Sequence, residues 1–169
     1  MRGELKEAVL WFGPLKTATR RATILPGPYQ LAFDGADQSS ISLNRISNPG
    51  TFLYEPDPAV IRSGLVSTLA EILNASQMDP DFVYLTSEIL SSTPFARVWR
   101  IEDWLPFNLK RLRAYLRQHH IGHVTVKKHG SPLEPDFLIH QLRLKGDQES
   151  ILVLTHLRGA LIVIVCNKV

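Results

Sequence analysis

A single cysteine, Cys166, in 169 residues leaves the chain no intramolecular disulfide, so its stability must come from an apolar core. At this length about 70% of the unfolded surface can be buried, and no structural metal is needed either. No apolar run approaches the roughly 18 residues of a membrane-spanning helix, and the N-terminus lacks a secretory leader pattern. The expectation is a cytoplasmic protein with no membrane partner. No glycine-rich G-x-G-x-x-G run follows a predicted strand, so the dinucleotide-cradling loop of a Rossmann unit is missing. Internal repeats and low-complexity tracts are missing too. Cys166 falls in the apolar run 161–166 and reads as a core thiol. The histidines have no adjacent nucleophile signature, so no catalytic residue is expected.

What the chain does have is an uneven charge distribution. Its net charge is +3, yet residues 106–145 hold eight basic side chains against Glu134 and Asp136, a net +6 that leaves −3 for the rest. All six histidines lie from His119 onward. Such asymmetry points to a polyanionic partner more directly than overall charge does.

The stretch 105–130 concentrates this pattern. Asn108 stands at an N-cap position and Gly122 where a left-handed residue would close the helix. Leu109, Leu112, Tyr115 and Leu116 share an arc of about 120° at helical spacing, which makes a core face. Lys110, Arg111 and Arg117 point away from it, Arg113 flanks it, and Lys127 and Lys128 follow on a strand that ends in a glycine turn. These six are the candidate nucleic-acid ligands. Two readings stay open: a solvated helix face, or a surface that holds phosphates. Four to six phosphate contacts would give a log–log salt slope of about −3 to −5. Aromatic residues are thin nearby, with Phe107 and Phe137 expected inside, so RNA shape and backbone are better targets than base edges. His119, His120, His123 and His129 match no metal-ligand spacing, and no metal is expected.

Taken in order, residues 8–12 read as a buried strand closed by Gly13 and Pro14. Residues 20–25 and 29–33 form a hairpin about Pro26-Gly27-Pro28. A polar stretch, 34–50, reads as a loop. Asp57 caps a long helix with Pro58 at its first position, carrying Ile61, Leu65, Leu69, Ile72 and Leu73, and Asn74 stops it. A short strand follows at 82–86 and a longer one with alternating faces at 95–101, the second bracketed by Pro94 and Pro106. After the basic helix come a strand at 123–127, a helix from Glu134-Pro135-Asp136 that Gly146 stops, and two apolar strands, 150–156 and 160–166, joined at Arg158-Gly159. From residue 95 the order is strand, helix, strand, helix, strand, strand. The fold class is α+β, with two helices on one face of a sheet, preceded by a β-rich segment and a long helix. The expected division is 1–50, 51–94 and 95–169.

Several long blocks in this order carry a resemblance: GELKEAVLWFG at 3–13, LYEPDPAVIRSGL at 53–65, YLTS at 84–87 with TPFAR at 93–97, LPFNLKRLRAYL at 105–116, VTVKKHG at 124–130 and LRLKGDQESILVLT at 142–155. Together they resemble the C-terminal half of bacterial class I S-adenosylmethionine-dependent methyltransferases that end in a THUMP-like domain. In that family a Rossmann-like domain comes first and carries the methyl-donor loop. The resemblance implies that this chain is a piece without the cofactor pocket, that 1–50 are the last strands of the catalytic domain, and that S-adenosylmethionine belongs to the parent protein alone. It also implies an accessory domain that binds RNA, by analogy with THUMP domains. The same stretch places Tyr54 and Glu55 near the junction with the catalytic domain. The alternative is a docking or dimerisation module indifferent to RNA.

Overall fold

The structure, a computed structural model, describes residues 6–35, 46–128 and 134–169. Among them a hairpin comes first, β1 (Arg20–Ile24) with β2 (Tyr29–Phe33), its turn containing a cis Leu25-Pro26 peptide. Then follow β3 (Phe52–Pro56), α1 (Pro58–Arg62), α2 (Val66–Ile72), β4 (Ser76–Gln77), β5 (Leu85–Ser87) and β6 (Ala96–Pro106). The chain finishes with α3 (Leu109–Gln118), β7 (Ile121–Lys128), α4 (Pro135–Leu142), β8 (Gln148–Leu157) and β9 (Ala160–Lys168). Seven strands join one sheet in the order β4-β5-β3-β6-β9-β8-β7. Among the described strands of this sheet the β7–β8 ladder alone is parallel.

The α+β class follows from two periodicities. On β8 and β9 both side-chain sets are apolar, which suits strands covered on both faces. Leu152, Leu154, Val163 and Val165 pack beneath Leu112 and Leu116 of α3 and Leu138 and Leu142 of α4. Ile151, Val153, Ile162, Ile164 and Cys166 face the other way, onto Leu53, Met78, Tyr84 and Trp99. A third cluster seats the hairpin, through Ala22 and Leu31, on Val60, Leu65 and Leu69 of the α1–α2 region.

The sheet is strongly curled. Lys127 Nζ on β7 lies 2.8 Å from Glu55 Oε2 on β3, although four strand-to-strand steps separate the two in the sheet. At about 4.8 Å per step a flat sheet would hold those strands roughly 19 Å apart. A register shift in β6 between Ile101 and Asp103 marks where the ladder to β9 is interrupted, and such bulges sharpen local bending. One end of the curl is closed by residues 78–84. There Asp79, 2% exposed, accepts from Asp81 N at 3.0 Å and from Gly159 N at 2.6 Å, so the incoming segment is tied to the β8–β9 turn.

Several expectations are corrected. Residues 8–12 form no strand and are exposed, with Leu10 81% and Phe12 74% accessible; among the described residues no strand pairs with them. The expected long helix is two short ones, because Gly64 at φ +69 breaks the path between α1 and α2, and Ile72 is exposed while Val60 is buried. β6 runs on to Pro106, whose missing N–H falls at the strand's last residue. Left-handed closure of α3 is made by His120 at φ +53, not by Gly122. Gly122 is there for space: a Cβ on it would stand 1.9 Å from the Gly146 carbonyl oxygen, and one on Gly146 2.0 Å from that of His120. α4 ends at left-handed Arg143, ahead of Gly146. Most of the polar stretch 34–50 and all of 129–133 lie outside the described residues, His129 included.

Candidate nucleic-acid interface

The basic helix is built as its sequence dictates. Asn108 takes the N-cap, its side-chain oxygen accepting from Arg111 N at 3.0 Å, which satisfies one of the first turn's orphan donors. Leu112 and Leu116 are buried against the sheet. That burial fixes the rotation of the helix and leaves Lys110, Arg111, Ala114 and Arg117 exposed on the outer face. None of the three cations on that face is held in an ion pair among the described residues. Arg143 and Lys145, also exposed, continue the positive surface past the helix end, where Asp147 N and Gln148 N both donate to His120 O. Tyr115 stacks on His119 with ring centroids 4.2 Å apart. Its hydroxyl is held above its ordinary titration range by partial burial, then by the carboxylates of Asp103 and Glu102.

The other three candidate residues have partners inside the molecule. Arg113 turns toward α4, its Nη2 donating to Gln141 O at 2.5 Å, so it caps the last turn of the neighbouring helix. Lys128 pairs with Glu134 at 2.5 Å, at the start of α4. Lys127 alternates to the opposite sheet face from Val124 and Val126 and therefore lies inside the curl. There it pairs with Glu55, and its ammonium stands 4.8 Å from the Trp99 ring centroid. The structure thus gathers Lys110, Arg111 and Arg117 on one face and places Lys127 on the other side of the sheet.

The curled side carries polar groups that spacing did not reveal. Tyr84, 2% exposed, bonds the Glu55 carboxylate, and its hydroxyl is pushed far up, by burial first and by Glu55 second. On the opposite face of β3, packed with Val60 and Leu65, Tyr54 donates to Ile89 O at 3.3 Å and accepts from Ser91 N at 2.8 Å, so it holds a loop in place. Burial, then the Glu102 carboxylate, pushes the Cys166 thiol up to about 12, which makes it a poor nucleophile at neutral pH. Beyond these, a cavity of about 480 Å³ opens at the end of the curl away from residues 78–84. Its lining includes residues 123–125, 149–151 and 166–168. The signal for that cavity was alternation: His123 and Thr125 fall on the same strand face as Lys127. Among the described residues no three His, Cys, Asp or Glu side chains stand close enough to hold a metal, and no helix is long and apolar enough to cross a membrane.

Residues 96–168, from β6 to the end of β9, match the family described as THUMP domain-like. The chain carries a THUMP-like domain. Beyond it, 158 residues, 92% of the chain, are 31% identical to uncharacterized S-adenosylmethionine-dependent methyltransferases from two strains of Mycobacterium tuberculosis. The match covers 42% of each of those proteins, so the chain spans about two fifths of their length. A crystal structure from Porphyromonas gingivalis, of a protein described as a candidate methyltransferase, superposes with a TM-score of 0.72 over 88% of this chain and 37% of that one. At 23% identity that likeness speaks for the fold. The THUMP-like domain is thus a methyltransferase-associated one, and the segment before residue 96 shares in the relationship.

Proposed function

We propose that this chain is the RNA-holding, substrate-recognition part of an S-adenosylmethionine-dependent RNA methyltransferase, with methyl transfer carried by a Rossmann domain outside the chain. One observation carries the reading: α3 presents Lys110, Arg111 and Arg117 on a single exposed face with no ion pair among the described residues, on a helix that Leu112 and Leu116 lock against the sheet. A row of cations on a fixed helix, without ion pairs among the described residues, suits a phosphate backbone, because no such ion pair has to be broken before each contact. With Arg143 and Lys145 the surface offers three to five phosphate contacts, for a salt slope of about −2 to −4. S-adenosylmethionine is assigned to the parent protein, and titration of this chain with it should give no heat of binding. The test of the RNA reading is fluorescence anisotropy with a structured RNA. Binding should weaken with salt and with Lys110→Glu plus Arg117→Glu; salt-independent binding, or none, would remove it.

A second reading has its own observation. Val9, Leu10, Trp11, Phe12 and Leu15 are between 52% and 81% exposed, a contiguous apolar run of the sort that marks a protein interface. As a docking module the chain would show a dimer or a complex in sizing experiments that Leu10→Asp with Phe12→Asp disperses, with no response to RNA.

A further inference from the structure

We propose that the open end of the curled sheet takes one unpaired nucleotide of the RNA held on α3. This rests on the RNA reading and names what the second face of the domain contributes to it. The cavity, about 480 Å³, falls within the roughly 300–1,000 Å³ typical of small-molecule sites. Its floor is apolar, with Cys166 fully buried and Ile151 9% exposed. His123, Glu149 and Lys168 stand around it, exposed and without ion pairs among the described residues, and Thr125 adds a hydroxyl. Ser150 and Asn167 are already joined, Oγ to Oδ1 at 3.2 Å.

This lining asks for three things at once. An apolar floor favours a planar ring, since a polar group pressed there would lose its water without a partner. Glu149 can only accept hydrogen bonds when ionised, so it suits an exocyclic amine or a ribose hydroxyl and repels a plain anion. Lys168 and the His123 N–H suit phosphate oxygens. A wholly apolar ligand would leave Glu149 and Lys168 desolvated and unmatched. A nucleotide supplies all three partners.

Position agrees with chemistry. His123 lies six residues beyond Arg117, and between them only His119, His120 and the first residues of β7 turn the chain. β7 is the edge strand, so a nucleic-acid strand leaving the basic face of α3 reaches the mouth by passing around that edge. An unpaired base can offer both its ring face and its hydrogen-bonding edge to such a lining, whereas a paired base has its edge already occupied, so the occupant is unpaired.

The test compares one RNA duplex in two forms, blunt and with a three-nucleotide single-stranded overhang, and adds the four nucleoside monophosphates followed by amide NMR shifts. The overhang should tighten binding at least tenfold. Glu149→Gln with Lys168→Ala, both exposed and tolerant of change, should abolish that gain and leave blunt-duplex affinity intact. Equal affinity for both duplexes, or a gain that survives the double variant, overturns the proposal. If no RNA binds but monophosphates shift amides at 123–125 and 149–151, the groove stands as a nucleotide site and the α3 reading alone fails.

Discussion

The two faces of the sheet use the same residue types to opposite ends. Where helices cover it, cations stand on the outside of α3 without ion pairs among the described residues, above a face packed with leucine and valine side chains. On the curled side a cation is turned inward: Lys127 is matched by Glu55, Trp99 and, through Glu55, Tyr84. A lysine's sequence neighbourhood is therefore a weak guide to its job. Lys127 and Lys128 are adjacent, yet one holds the curl together and the other anchors α4. What decides between binding and bracing is whether a carboxylate is within reach once the sheet has formed.

The largest test of this contrast acts on the joint between the faces. Gly146→Ala puts a Cβ against the His120 carbonyl, backbone against backbone, at a φ of +144 that alanine also disfavours. A loss of about 3 kcal/mol is expected by urea denaturation, at the upper end for overpacked sites. A loss below about 1 kcal/mol would mean that α3 and β7 are not locked together there.

Alkaline unfolding comes next. In the folded state Tyr84 and Cys166 both titrate above their ordinary values of 10.0 and 9.0, chiefly through burial. The stability they hold is complete below those ordinary values and drains away as pH rises toward about 12, because the unfolded chain releases the protons first. Thermal melts should be flat to about pH 9 and fall above it, and Cys166 should resist thiol reagents until they do. A melting temperature constant to pH 11 would contradict the packing described for the curled side.

Smaller still is Lys127→Met. It leaves a half-buried Glu55 without its partner and should cost about 1–2 kcal/mol, between the values for surface and buried pairs. Its effect on RNA affinity should be under twofold, since Lys127 is spent inside. Asn108→Ala removes the cap of α3 and should cost about 1 kcal/mol, with a matching loss of helix ellipticity. A large affinity change from Lys127→Met alone would break the division between the faces.

How much of this was legible in the sequence varies by physical cause. Local signals were reliable: Asp57 with Pro58, Asn108, Asn74 and the Arg158-Gly159 turn all sit where backbone chemistry requires them. The continuous apolar runs of β8 and β9 announced strands buried on both faces. Long-range pairing was not legible. Nothing in the spacing of Glu55 and Lys127, 72 residues apart, says that the sheet curls enough to join them. Gly122 was visible as a required glycine, but the requirement comes from the Gly146 backbone 24 positions away rather than from its own φ. For residues 8–12 apolar character predicts burial, but burial needs a partner strand, which the described residues do not offer. The candidate interface was half legible. Helical periodicity placed Lys110, Arg111 and Arg117 outward, whereas the occupation of Arg113 by Gln141 O depends on where α4 docks.

The most direct measurement is the salt dependence of RNA binding for three proteins side by side: the wild type, Lys110→Glu with Arg117→Glu, and Lys127→Met. The outward cations predict a wild-type slope of about −2 to −4, made shallower by about 2 units in the double variant with at least a tenfold loss of affinity at low salt, and left unchanged by Lys127→Met. Equal affinity and slope for the wild type and the double variant would contradict the assignment of α3 as the face that holds RNA.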